Sequence, residues 1–476
     1  MDTGCPARVI ALPLAAAPVD GPLCAAPTGM GGRMRRVVSG LVAVAGLGCG
    51  SALADLPLPA AVSDADFASH PPELVRLGWH LFYDPILSGN REVACATCHH
   101  PAFGTSDGVS LGLGDGGRGL GPDRVADPDN MPEQRIPRNS PALWNLGANE
   151  FTRMFHDGRI EVDPNRDSGL RTPLEGDMMA GFASLLSAQN MFPVLSPDEM
   201  AGHYSENEIA QAVRQGRITG AGGAWDLIAQ RVRDIPDYAE RFIATHEGIS
   251  APDDIAFTHI SDAIAAFVAV EFRSDTSPFD AYLRGQGDLA DDAARGMGLF
   301  YGRATCASCH SGPFQTDHGF HARGVPQLGP GKAARFESHR RDTGRMRVTG
   351  RDEDAFAFRT PSLRNVAHSA PYGHAGSHAT LEGFIRDHAD PVAALPRYDR
   401  AQVILPDLPV DDWQIMDDPA ELGAIADAVQ TPPIALGDDD IADIVAFLDS
   451  LSDAQALAGR LGVPSFVPSG LDVPNP

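Results

Sequence analysis

The sequence predicts a mainly α-helical protein built as two similar halves, and three observations carry that expectation. The pentapeptide C-x-x-C-H stands twice, as Cys95-Ala96-Thr97-Cys98-His99 and as Cys306-Ala307-Ser308-Cys309-His310. Apolar residues recur at helical spacing along much of the chain, while strand-like alternation is rare. The pattern Leu77-Gly78-x-x-Leu81-Phe82-Tyr83 returns as Arg295-Gly296-x-x-Leu299-Phe300-Tyr301 ahead of the second pentapeptide, an internal repeat that puts one equivalent unit in each half.

Each pentapeptide is the attachment signature of a c-type haem. The two thiols add across the haem vinyl groups as thioethers, and the adjacent histidine is held beneath the iron as its proximal ligand. Cys95, Cys98 and His99 would hold one haem, and Cys306, Cys309 and His310 the other. A zinc ribbon also uses paired C-x-x-C knuckles. Here the pairs lie about two hundred residues apart, far beyond the usual ~15–20, and both carry histidine at the same offset, so haem is the reading.

Taken in order, the elements begin with a leader over residues 1–54. From Met34 the chain reads Arg35-Arg36, an apolar run from Val37 to Cys49, and small residues Ala52-Leu53-Ala54 before Asp55. That is the n-region, h-region and cleavage site of a signal peptide cut after residue 54, and the run is short of the ~20 residues a membrane span needs. Export to the periplasm without stable membrane insertion is expected. Cys5, Cys24 and Cys49 all fall within this stretch. Helices are then predicted over Pro72–Tyr83, Ser205–Gln215, Trp225–Arg233, Ile260–Phe272 and Asp291–Tyr301, each with an apolar face. A final packing helix is read within Glu421–Leu451, with Asp438-Asp439-Asp440 suited to a helix start by the macrodipole. The Gly/Pro/Asp-rich stretches 112–132 and 324–331 read as loops over the haem edges. The expected domains are 64–275 and 276–461, one cytochrome unit around each haem, followed by an extended Pro-rich tail at 462–476. The formal net charge of −26 argues against nucleic acid or anionic membrane as partners and would attract a basic redox protein.

From about Leu77 to Leu451 the sequence resembles the bacterial dihaem cytochrome c peroxidases, a family that includes the methylamine-utilisation enzyme MauG. The motifs that carry the resemblance run in order. They are Leu77-Gly78 to Leu87-Ser88-Gly89, Arg138-Asn139-Ser140-Pro141, Asp157-Gly158-Arg159, then Gln189, Pro193, Pro197 and Glu199-Met200. The last is Arg359-Thr360-Pro361-Ser362-Leu363-Arg364-Asn365-Val366 through Pro371-Tyr372-Gly373-His374.

The resemblance implies two cytochrome c-like domains, each enclosing one covalently attached haem c. It implies hydrogen peroxide as substrate at the first haem, with Glu199 as catalytic acid and base, Gln189 orienting peroxide and Pro193 shaping a dry pocket. Without the family pattern, Glu199 in its Pro-Asp-Glu-Met turn would read as a solvated helix cap. The histidine that blocks the first iron in resting relatives has no counterpart in the loop Thr105–Gly121, so this haem is expected to have an open face. His388 falls where peroxidases carry methionine and MauG carries tyrosine. A bis-histidine second haem would follow, of lower potential than a His/Met one, with an outer partner expected on the ligand and with His374 and His378 as rivals. His156 stands where the family has an inter-haem tryptophan, and Trp144 is the candidate substitute. The segment Ile160–Leu186 is longer than in most relatives. Calcium between the domains would be held by the Asn139 side chain and the carbonyls of Ser369 and Pro371. The implied electron donor is a small basic cytochrome c or a cupredoxin. A MauG-like enzyme would instead oxidise tryptophan or tyrosine on a partner protein, and a plain electron-carrying dihaem cytochrome would have two six-coordinate haems. Relatives are often homodimers.

Overall fold

The computed structural model describes residues 56–178, 180–203, 206–332 and 337–475. The predicted leader and its cleavage point after residue 54 lie outside them, and so does Ser205. Residues Leu53–Pro476 make one compact unit. Among the described residues no helix is long and apolar enough to cross a membrane.

Four helices carry the architecture: α1 (Pro72–Tyr83), α2 (Phe257–Glu271), α3 (Asp291–Tyr301) and α4 (Asp438–Asp449). Helix α1 packs on α2, and α3 packs on α4, the two most extensive helix pairings of the fold. The internal repeat explains both. A Cβ on Gly78 would lie 1.8 Å from the carbonyl oxygen of Ala263 in α2, and a Cβ on Gly296 would lie 1.8 Å from that of Asp443 in α4. Only glycine lets the backbones approach this closely, so each repeat is the crossing point of a helix pair. Behind each glycine the aromatic residues go inward: Phe82 meets Phe267 and Phe272, and Phe300 meets Phe447. Burying one such ring is worth roughly 1.5–3 kcal/mol.

Local signals set the helix limits. Pro72 opens α1 at a position whose N–H needs no partner, and Asp84 ends it by accepting from Ile86 N to start the next turn. Helix α2 is buried on nearly every side, as its continuous apolar sequence requires. The predicted helix over Ser205–Gln215 begins later, at Glu208, because the Asn207 side chain accepts from Ala210 N and caps it there. The last predicted helix is two: Pro419–Asp427, and α4. Pro432 and Pro433 separate them, since proline supplies no N–H and clashes with the preceding turn.

Strands are short. Among the described residues three at most pair in any one, in two two-stranded ribbons and a three-stranded sheet. The three-stranded sheet, Arg153–Met154, Ile160–Val162 and Leu170–Arg171, lies in and beside the segment that the sequence marked as long.

The core has two main apolar clusters, one drawn largely from residues before Arg273 and one from Phe279 to Leu451. Buried ion pairs tie the two regions. Arg138 grips Asp342 through Nε and Nη2 at 2.7 and 2.8 Å and Asp157 at 2.7 Å, while Arg345 grips both Glu161 oxygens at 2.8 Å. The C-terminal tail is irregular, as expected, but it is more than a surface strand. Trp79 Nε1 donates to Gly462 O at 2.6 Å, Ser469 Oγ donates to Asp84 Oδ1 at 2.6 Å, and Val467 is buried in the first cluster.

Candidate functional site

The first pentapeptide forms one helical turn, Cys95–Cys98, whose start is fixed by Ala94 N donating to Thr97 Oγ1 at 3.0 Å. His99 follows with its Nδ1–H donated to Thr105 O at 3.1 Å, which leaves Nε2 as the free lone pair. Burial holds this imidazole down at about 4, so it is neutral and able to ligate. The second pentapeptide repeats the arrangement, with His310 Nδ1–H donated to Gln315 O at 3.1 Å.

Above Cys95, Cys98 and His99 opens a cavity with about 1230 Å³ of empty volume. Phe82, Leu87, Leu186, Phe257 and Ile264 supply apolar walls. The helix Leu185–Asn190 brings Gln189 to it, the turn Pro193–Leu195 brings Pro193, and a single π turn, Pro197–Ala201, brings Glu199. The three residues chosen from the sequence therefore share one chamber with the first attachment motif. Burial pushes the Glu199 carboxyl up, opposed by the charges of Lys332 and Arg159. Gln189 Oε1 is buried with no hydrogen-bond partner among the described residues. The backbone behind Glu199 is braced: Asp115 N donates to Glu199 O at 3.0 Å, and Gly89 N donates to Met200 O at 2.7 Å.

The histidines lining this cavity, among the described residues, are His99 and His156. His100 turns away, accepting from Ala102 N at 3.1 Å and facing Tyr83. His156 is fixed by its Nε2–H, donated to Asn139 O at 3.1 Å. Burial and the Arg138 charge hold it down at about 3. Trp144 packs edge-on against Phe272 in the core and is not among the residues lining the cavity.

The second cavity is smaller, about 250 Å³, and is lined by Arg323, Phe384, His388, Pro391 and neighbours. His388 closes the helix Leu381–Ala389, stacks on Phe384 at 5.2 Å, and is held well down by burial, by Arg323 and by His310. Of its rivals, His378 commits both ring nitrogens, to Asp387 at 3.0 Å and Ser377 at 2.9 Å. His374 stacks flat on Phe358 at 3.7 Å, beside Asp342 and Arg138. The outer partner expected for His388 is missing: its Nδ1 has none among the described residues.

Asn139 is pinned where the halves meet, its backbone N donating to His374 O at 2.9 Å and its Nδ2 to Val109 O at 2.9 Å. Two cavity residues escaped the sequence reading: Asp107, which burial pushes up to about 7, and Lys332, which burial and the Arg159 and Arg138 charges pull down to about 8; Arg159, read as part of a motif but given no role, lines the cavity too. Lys332 had a visible signal, since it directly follows the Gly-rich loop read as covering a haem edge. The thiols, the tethered imidazoles and the apolar first chamber fit a covalently attached porphyrin on each motif. Asp317 and His321 also approach Cys309 closely enough to suggest a metal cluster, but that thiol is the one attachment takes.

The model of the di-haem cytochrome c peroxidase family matches residues 72–288. The methylamine utilisation protein MauG of Methylorubrum extorquens is 31% identical over 320 residues, covering 67% of this chain and 68% of that one. The chain belongs to the di-haem cytochrome c peroxidase family. Membership carries the oxidoreductase class and two covalently bound haem c groups. The cytochrome c551 peroxidase of Pseudomonas aeruginosa is 27% identical over 400 residues, 84% of each chain. Among solved structures, a MauG-like protein associated with microbial copper homeostasis superposes with a TM-score of 0.51 at 26% identity, covering 84% of this chain and 95% of its own. The dihaem peroxidase BthA of Burkholderia thailandensis shares the fold at 20% identity, with a TM-score of 0.53, over 84% of this chain and 93% of its own.

Proposed function

We propose that the protein is a periplasmic peroxidase that reduces hydrogen peroxide to water at the haem held by Cys95, Cys98 and His99. The single observation that carries this is the meeting of Glu199, Gln189 and Pro193 in the chamber above that motif. When bound, the haem supplies the iron position at which peroxide sits and the redox centre for the reaction. The chain supplies the rest. Glu199 takes a proton from one peroxide oxygen and returns it to the other, so that the outer oxygen departs as water. Gln189 donates its amide N–H to peroxide, and Pro193 with the apolar wall keeps bulk water out. In total, peroxide takes two electrons and two protons and yields two waters. The electrons come from a small basic cytochrome c or a cupredoxin, drawn to the acidic surface; His310 and His388 would hold the second haem, which would supply a relay for them. Asn139, with the carbonyls of Ser369 and Pro371, offers oxygen ligands suited to calcium between domains 64–275 and 276–461.

His388 supports a second reading, peroxide-dependent oxidation of tryptophan or tyrosine on a partner protein, as in a MauG-like enzyme. Histidine in place of methionine lowers the potential of the second haem, which suits it less to accepting electrons from a high-potential donor. Steady-state peroxide consumption with reduced cytochrome c tests the choice. Rapid oxidation of the cytochrome supports the peroxidase. A cytochrome left reduced while peroxide modifies aromatic residues of a partner supports the second reading.

A further inference from the structure

Lys332 belongs to the second half of the chain yet lines the first chamber. The loop that delivers it is firmly held. Gln327 Nε2 donates to Asp342 O at 2.8 Å, Asp342 N donates to Gln327 Oε1 at 3.0 Å, and Gly329 N donates to Asp412 O at 2.9 Å. Leu328 packs with Leu111 and Ala375. Gly331 has φ +63°, and a Cβ there would lie 1.8 Å from Arg340 O, so both conformation and space demand glycine one residue before the lysine. A lysine on so constrained a loop, lining a chamber that also holds the buried carboxyls of Glu199 and Asp107, is placed to meet a negative charge.

The charges around it show which one. Arg138 is neutralised by Asp342 and Asp157, and Arg159 also reaches Asp157 at 3.2 Å. Glu199 shares the chamber with Lys332 and makes no ion pair within 4 Å among the described residues. The groups that act on Glu199 are Lys332, Arg159, Asp198 and the Ser196 side chain. Those acting on Lys332 are Arg159, Arg138, Glu199 and Asp157, with Asp107 and His156 on the same cavity wall.

Resting on the reading of Glu199 as the acid and base, we propose that Lys332 is its counter-charge, a positioning residue that holds this carboxyl as the base for the first proton of peroxide. Burial by itself favours the neutral acid, which has no place to put that proton. A buried cation in the same chamber favours the carboxylate. The device spans the two halves of the molecule: the base comes from one and the charge that readies it from the other.

The test uses the holoprotein and its K332M, K332R and E199Q variants. Two readouts are followed against pH: the stopped-flow rate of the ferric protein with peroxide, and the rate of cyanide binding, in which HCN must also hand its proton to a distal base. In the wild type both rates rise with pH as Glu199 ionises. K332M is expected to move that acid limb up by ~1 pH unit, a rate loss of about 10-fold below it, while K332R restores the wild-type profile and E199Q removes the limb. A limb unmoved in K332M but absent in E199Q overturns the counter-charge. So does a K332M protein whose only change is a shifted midpoint potential of the first haem, which would mean that Lys332 pairs with a haem carboxylate. A limb that survives in E199Q means that the reading of Glu199 itself fails, a separate result.

Discussion

The two attachment motifs are near twins in sequence, yet the surroundings of His99 and His310 differ in kind. The first motif lines a cavity with about 1230 Å³ of empty volume, with an amide, a carboxyl and a lysine on its walls; His310 instead acts on His388, which lines a separate cavity of about 250 Å³. Both proximal histidines are tethered alike, through Nδ1 to a carbonyl at 3.1 Å. The difference is therefore made on the far side, by the π turn 197–201 in one half and by the helix 381–389 in the other. A duplicated scaffold sets the porphyrin, and what faces it sets the chemistry.

The largest expected break in that comparison is E199Q. It should cut peroxide turnover by roughly 10²–10⁴-fold, the usual worth of a positioned acid and base, while the optical spectra of both haems stay near those of the wild type. Steady-state assays with reduced cytochrome c measure it, and unchanged turnover would remove Glu199 from its role.

The scaffold itself is probed at the two glycines. Gly296→Ala forces a methyl against the Asp443 carbonyl and Gly78→Ala one against that of Ala263. Each should cost about 1–3 kcal/mol by overpacking, read as lost stability in thermal or denaturant unfolding. Comparable losses would confirm that the repeat does the same work in both halves.

The join between the halves has its own pH signature. Burial alone would raise Asp342, but the Arg138 guanidinium overrides it and leaves the carboxyl at about 2. A folded-state value below the unfolded one stabilises at neutral pH, and that contribution is lost as pH falls from ~4 through about 2. Asp342→Asn should lower stability near neutrality by ~1.5–3 kcal/mol, because the buried Arg138 guanidinium loses one of its two carboxylate partners and keeps Asp157, and should flatten this acid dependence.

The smallest effect concerns the second haem. His388→Met should raise its midpoint potential, since methionine ligation favours the reduced iron, and leave the first haem unchanged in spectroelectrochemical titration. A potential that stays put would move the ligand role to another side chain.

Much of this was legible in the chain. Helices α1 and α3 keep their predicted ends because Pro72, Asp84 and the paired aspartates at 291–292 are local signals. The attachment residues can be read because their spacing is itself chemical information, whereas Gln189, Pro193 and Glu199 stand out only through the resemblance to the family. The single helix expected near the C-terminus failed where two prolines outweighed periodicity. Lys332 and Asp107 escaped because their role depends on which distant segments fold against them. Lys332 reaches its chamber only through the contacts of Gln327 with Asp342 and Gly329 with Asp412, and no local pattern announces such contacts.

Electron paramagnetic resonance of the fully oxidised protein tests the central claim most directly, because it counts the coordination of each iron separately. One high-spin ferric signal and one low-spin ferric signal in equal amounts are predicted, the first from the Cys95/Cys98 haem and the second from its bis-histidine partner. Two low-spin signals would show a side chain already bound at the first iron and would contradict the account.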